Sequence, residues 1–197
     1  MKSLGIVLSL GLISMIAGGL LSLWDKQTAP LIEINRIKAL ERGIAQVLPA
    51  HDRYETKIVK DVTYYWGYDK DQTEPVGVAF STAGPGFQGK VALMIGVKPD
   101  LTEVTGVQVI SQIETPGLGT KIVVDPSNKE DKYWFSNQFK ALVLDRAIEV
   151  LKNKKPSEPH QIQAITGATI SSKAVAKLVS NGVAHARQVW LDQPEVP

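Results

Sequence analysis

The chain has 197 residues, with 22 Lys and Arg against 20 Asp and Glu for a formal net charge of +2, and it contains no cysteine. So balanced a charge excludes a strong electrostatic partnership with nucleic acid or another polyanion. The missing thiols exclude disulfides, iron–sulfur clusters and thiol catalysis within this chain.

From Ser3 to Trp24 no side chain is charged. Roughly 20 apolar residues cross a bilayer core, whereas a signal-peptide core runs to only about 7–15. No A-x-A-like cleavage site follows Gly18-Gly19-Leu20-Leu21-Ser22-Leu23. Residues 1–25 therefore read as a retained transmembrane anchor, with Trp24 as its interfacial aromatic. Lys2 and the N-terminal amine precede the span and keep that end cytoplasmic. The expectation is a single pass of the cell (inner) membrane with the soluble domain extracytoplasmic.

Residues 26–49 form a juxtamembrane segment. Leu31, Ile34, Ile37, Leu40, Ile44 and Val47 recur at helical spacing, and Glu33, Arg36, Lys38, Glu41 and Arg42 fill the other face. Pro30 is a possible break between the two helical stretches, and Pro49 ends the second. The apolar stripe is expected to pack on its own domain, with a partner as the alternative.

Residues 50–192 make one domain of α+β class, with an antiparallel sheet and flanking helices. Val62 to Tyr68, Val76 to Thr82, Lys90 to Val97 and Val104 to Ser111 are β-rich runs. Turn-like Asp69–Pro75 and Lys98-Pro99-Asp100 separate two pairs of them, as in a meander. Asp131 to Phe139 reads as a short helix, Ala141 to Leu151 fits helix or strand, and Gln161 to Ile165 reads as a short strand. Ser172 to Leu191 is helical, with Val175, Leu178, Val179, Val183, Ala186 and Trp190 on one broad face. Residues 193–197 are a loose tail. His51, His160 and His185 are scattered without metal-ligand spacing, so no metal site is expected.

Three glycine-containing strings remain. Gly84-Pro85-Gly86-Phe87-Gln88-Gly89 matches G-x-G-x-x-G, but a strand follows it where a dinucleotide site needs a helix, and Pro85 lacks an N–H. It reads as a connection between strands. Glu114-Thr115-Pro116-Gly117-Leu118-Gly119 is a fixed, tight loop in which Leu118 can lie against an aromatic ligand; a plain inter-strand loop is the alternative. Thr166-Gly167-Ala168-Thr169 precedes Ile170-Ser171-Ser172 and a helix. A helix start offers free N–H groups and a positive dipole end to a phosphate, or else Ser and Thr simply cap it.

The last two strings, and the order anchor, soluble domain, E-T-P-G-L-G loop, helix near Trp134 and Phe139, and T-G-A-T, carry a resemblance over essentially the whole chain. The chain resembles the FMN-binding subunits of the Rnf and Na+-translocating NADH:quinone oxidoreductase complexes, and is most similar to the G-subunit family of the Rnf electron-transport complex. The resemblance implies FMN joined to Thr169 by a phosphoester, placed there by a separate flavin transferase with FAD as donor. It groups Thr166, Gly167, Ala168, Ser171 and Ser172 with Glu114, Thr115, Gly117, Leu118 and Gly119 around that cofactor. First-turn amides and the Ser171 or Ser172 hydroxyl would meet the remaining phosphate charge, while Thr166 would cap or bond locally. Gln163 stands where the family commonly has Asp, three residues before Thr166.

The implied function is electron relay in a membrane-bound, ion-translocating ferredoxin:NAD oxidoreductase, with no catalytic side chain in this chain. Partner subunits, flavin and iron–sulfur proteins of the membrane complex, must hold the other centres. The alternatives are the FMN-carrying subunit of a Na+-translocating NADH:quinone reductase, a homologue that tends to be longer, and a non-redox membrane-tethered module.

Overall fold

A computed structural model describes residues 2–70 and 73–192. The expected tail, and Asp71 and Gln72 of the turn before Pro75, lie outside the described residues. The chain divides into two compact units, Met1–Ala39 and Leu40–Pro197.

The first unit belongs to helix α1, Lys2–Val47, which runs through Pro30 without a break. One lost i→i−4 bond is absorbed by intact turns on both sides. The hydroxyl of Thr28 donates to the carbonyl of Trp24 at 3.0 Å. Among the described residues, none buries the apolar window of this helix, which is long and apolar enough to cross a membrane.

The second unit starts with the last turns of α1. Ile44, Val47 and Leu48 are buried with Ala79 and Met94, and Leu40 packs beside them. The expected stripe is thus divided: its C-terminal part packs on its own domain, while Leu31, Ile34 and Ile37 stay exposed.

Five antiparallel strands form one sheet in sequence order: β1 Arg53–Val59, β2 Val62–Tyr68, β3 Pro75–Pro85, β4 Lys90–Val97 and β5 Val104–Gln112. β1 escapes the sequence reading because it is an exposed edge strand of mostly charged and polar residues, with little apolar periodicity to detect. The pleat sends alternate residues to opposite faces. Tyr64, Phe80 and Ile95 align across β2, β3 and β4 on one face. Tyr65, Ala79 and Gly96 align on the other, where α1 ends. That end comes so close that a Cβ on Gly96 would stand 2.2 Å from the Val47 carbonyl oxygen. Thr105 donates to the same oxygen at 2.6 Å.

Helix α3, Thr169–Leu191, covers the other face with Val175, Val179, Val183 and Ala186. The buried Tyr64 hydroxyl donates to the Ala186 carbonyl at 2.8 Å, and Trp190 lies 4.7 Å from Trp66, centroid to centroid. The helix expected over Asp131–Phe139 narrows to α2, Trp134–Asn137. Asn128 and Asp131 side chains accept backbone N–H groups ahead of it and hold that stretch in turns. Of Ala141–Leu151 only β6, Glu149–Leu151, is regular, and it pairs in parallel with β7, Gln161–Gln163.

Candidate functional site

The site begins at the start of α3, which no side chain caps. Ala168 occupies the N-cap position, where Ala is poorer than Ser or Thr by about 1 kcal/mol. The helical ladder starts with Ser172 N–H donating to the Ala168 carbonyl at 3.0 Å. Among the described residues, the N–H groups of Thr169, Ile170 and Ser171 meet no protein acceptor. Thr169 is half-buried at the first position of the helix, and no hydrogen bond of its hydroxyl is found among the described residues. Thr166 is exposed and likewise neither caps nor bonds locally, contrary to expectation; the turn places Ala168 where the cap must sit. Free amides at the positive end of a helix, beside an uncommitted hydroxyl, suit a phosphate.

The two serines that follow have other work. Ser171 is 2% exposed and its Oγ donates to Glu114 Oε2 at 2.5 Å. Ser172 is fully buried; its Oγ donates to the Ala168 carbonyl at 2.9 Å and accepts the Ile165 N–H at 3.0 Å. Both hydroxyls are turned inward in this structure and shape the loop before Thr169.

Glu114 joins three segments. It is 5% exposed. Its Oε1 accepts the N–H groups of Phe87 and Gln88 at 2.8 and 3.1 Å, and its Oε2 accepts the Ser171 hydroxyl. Its own N–H donates to the Gln112 side-chain oxygen at 2.6 Å. Packing around the carboxylate leaves room only for glycine: a Cβ on Gly86 would lie 2.3 Å from Oε1, and one on Gly119 would lie 2.7 Å from Oε2. The 84–89 string is therefore no dinucleotide site, since it links β3 to β4 as expected, yet the fold brings it to this cluster. Sequence reasoning left it out because its tie to Glu114 is a long-range contact with no local signal.

The loop Thr115–Gly119 lies against the turn before α3. Gly117 and Gly167 have φ of +73° and +82°, which L side chains rarely adopt. A Cβ on Gly167 would come 3.2 Å from Leu118 Cδ2. Thr120 Oγ1 accepts the Gly117 N–H at 3.0 Å and fixes the turn. Leu118, Phe87 and Ile170 remain 47%, 57% and 58% exposed on the three joined segments.

Lys121 turns away from this cluster. Its ammonium lies 3.2 Å from Asp125 and 2.9 Å from the Ser127 hydroxyl. Burial raises the Asp125 pKa, but hydrogen bonds from Ser127, Trp134 Nε1 and Lys121 outweigh it and bring the group down to about 2. Gln163 is held through its backbone: its N–H donates to Gln138 Oε1 at 2.7 Å, and its carbonyl accepts from Gln138 Nε2 at 3.2 Å. A separate cavity of about 460 Å³ lies between β3 and the Ala174–Ala186 stretch of α3. Its lining includes neither Thr166 nor Thr169.

Residues 86–184 match the family described as FMN-binding domain. The chain is 31% identical over 207 residues to the G subunit of the Na(+)-translocating ferredoxin:NAD(+) oxidoreductase complex of Acetobacterium woodii, covering 94% of this chain and 92% of that one. It is 29% identical over 187 residues to the G subunit of the ion-translocating oxidoreductase complex of Methanosarcina acetivorans, covering 90% and 91%. Among solved structures, Shewanella oneidensis NqrC superposes with a TM-score of 0.53 at 22% identity, over 70% of this chain and 66% of that one, a likeness of fold. The uncapped helix start and the residues joined to it, Phe87, Gln88 and Glu114, lie within the matched residues, and with the near full-length likeness to the Acetobacterium protein they lead to one conclusion: the chain belongs to the FMN-binding domain family, among the G subunits of ion-translocating oxidoreductase complexes.

Proposed function

We propose that this chain is an electron-carrying subunit of a membrane-bound, ion-translocating ferredoxin:NAD oxidoreductase of the Rnf type, and that its FMN is bonded to Thr169 through a phosphoester. The observation that carries this reading is the start of α3, where three N–H groups have no acceptor and the Thr169 hydroxyl has no partner among the described residues. Simple capping, the competing explanation of T-G-A-T, is disfavoured because Ala168 holds the cap position.

The residues fit the group. Thr169 would take the FMN phosphate onto its oxygen in exchange for the AMP of the FAD donor, its hydroxyl proton going to the transferase, and the free amides of Thr169, Ile170 and Ser171 would hold the one negative charge that remains on the phosphodiester. Gly117, which has open space where a Cβ would stand, and the half-exposed Leu118 offer an apolar, uncrowded edge beside Gly167. FMN supplies one- and two-electron chemistry, and the protein supplies position and polarity. The chain has no cysteine, so any iron–sulfur partner centre belongs to another subunit. The apolar helix anchors the domain, with the N-terminus cytoplasmic and residues 50–192 outside the cytoplasm. A covalent tether suits that location, where lost FMN is not replaced.

The test is in-gel ultraviolet fluorescence of the denatured full-length protein from cells that contain a flavin transferase, followed by peptide mass measurement. A fluorescent band with the FMN adduct on the peptide containing Thr169 is expected. Thr169→Ala abolishes the adduct, whereas Thr166→Ala retains it at least in part. A dark wild-type band would favour a non-redox module, and an adduct that survives Thr169→Ala would place the flavin elsewhere.

A further inference from the structure

Glu114 is a buried carboxylate without a cation. No Lys, Arg or His nitrogen lies within 4.0 Å of it among the described residues. Its close partners are two backbone N–H groups and the Ser171 hydroxyl. Burying such a charge is costly. The joining role alone does not require the charge. A glutamine could accept the Phe87 and Gln88 N–H groups through its oxygen and donate to Ser171 Oγ through its nitrogen. A neutral side chain of the same shape would therefore hold the three segments together.

The charge sits beside the candidate flavin site. Ser171, its partner, is two residues after Thr169. Gly119 packs against both Glu114 and Ser171, and the preceding Leu118 lies against Gly167. Charge interactions are strong at short range in a partly dry environment. Reduction adds negative charge to a flavin, and a fixed anion nearby opposes it.

We propose that Glu114 is a positioning and tuning residue, joining the 84–89 loop, the 114–119 loop and the first turn of α3, and that as an anion paired with no cation it lowers the reduction potential of the attached flavin. This rests on FMN being carried at Thr169.

The experiment is a redox titration of the flavinylated full-length protein in detergent, followed by flavin absorbance. Glu114→Gln keeps the shape and removes the charge, so the midpoint potential should shift upward. Ser171→Ala keeps the charge and removes one of its donors, leaving the anion less neutralised, so the potential should shift downward. Loosening of the loops alone would move both variants the same way. An unchanged or lowered potential in Glu114→Gln overturns the proposal, as does a raised one in Ser171→Ala. Where Glu114→Gln fails to fold or to carry flavin, the sign in Ser171→Ala decides. A wild-type protein with no flavin adduct would instead refute the FMN reading itself.

Discussion

Glu114 Oε2 and Ser171 Oγ lie 2.5 Å apart although 57 positions separate them in the chain. One hydrogen bond thus connects the loop after β5 to the first turn of α3. Both residues are buried, and the same carboxylate reaches the 84–89 connection through two further N–H groups. The candidate site is built from three distant segments, and this carboxylate is where they meet.

The tightness of that meeting predicts a steric hierarchy among glycines. Gly119→Ala places a Cβ 2.7 Å from Glu114 Oε2 and 3.0 Å from Ser171 Oγ. It should cost about 1–3 kcal/mol by overpacking and weaken the Glu114–Ser171 contact. Gly117→Ala meets nothing within 4 Å but keeps a φ of +73°, so it should cost only about 1 kcal/mol. Urea denaturation of the two variants checks the order, and a Gly119 variant as stable as wild type would refute the packing.

The end of α1 gives a second steric prediction. A Cβ at Gly96 would stand 2.2 Å from the Val47 carbonyl oxygen and 2.6 Å from Thr105 Oγ1. Backbone cannot step aside as a flexible side chain can. Gly96→Ala should therefore cost about 3 kcal/mol, read as a lowered Tm, by lifting the last turn of α1 from the sheet. A melt that coincides with wild type would show that this turn is not seated on Gly96.

Asp125 predicts a pH dependence. Burial raises its pKa, but the donors Ser127, Trp134 and Lys121 prevail and lower it to about 2. A carboxyl depressed in the folded state stabilises the fold above its unfolded pKa of about 3.9. That contribution is lost as pH falls through the folded value. Asp125→Asn lacks it, so the Tm gap between wild type and variant should narrow between about pH 5 and pH 2. A gap constant over that window would show that the ionised form is not favoured by folding.

The proposed attachment at Thr169 gives a readout on the bare protein. Thr169→Ala keeps Ala168 at the N-cap and the Ser171 and Ser172 bonds intact. It should lose the FMN adduct completely, while its stability in urea stays within about 0.5 kcal/mol of unmodified wild type, as for a surface change. A large stability loss would mean that the Thr169 hydroxyl serves the fold.

Much was legible in the chain itself. An uncharged run of about 20 residues dictates a membrane-length helix wherever it lies, because backbone polar groups in lipid must be satisfied internally. β-rich composition between turn residues placed β2 to β5, and an apolar face at helical spacing placed α3, since burial writes itself into the sequence. The edge strand β1 left no such trace, because most of its residues face solvent. Pro30 suggested a break that the flanking turns override.

The strings E-T-P-G-L-G and T-G-A-T were likewise readable, and local chemistry marked the second as a helix start. Whether its hydroxyls cap that helix was not readable, because the cap position depends on where the preceding turn delivers the chain. Tertiary structure decided it: Ala168 sits at the cap, Ser171 and Ser172 face inward, and Thr169 is left with free amides around it. It also decided that the glycine loop at 84–89, rightly dismissed as a nucleotide motif, belongs beside the site. That assignment rests on one buried carboxylate satisfied by partners from two distant segments, and long-range satisfaction of a buried polar group leaves no periodicity to read.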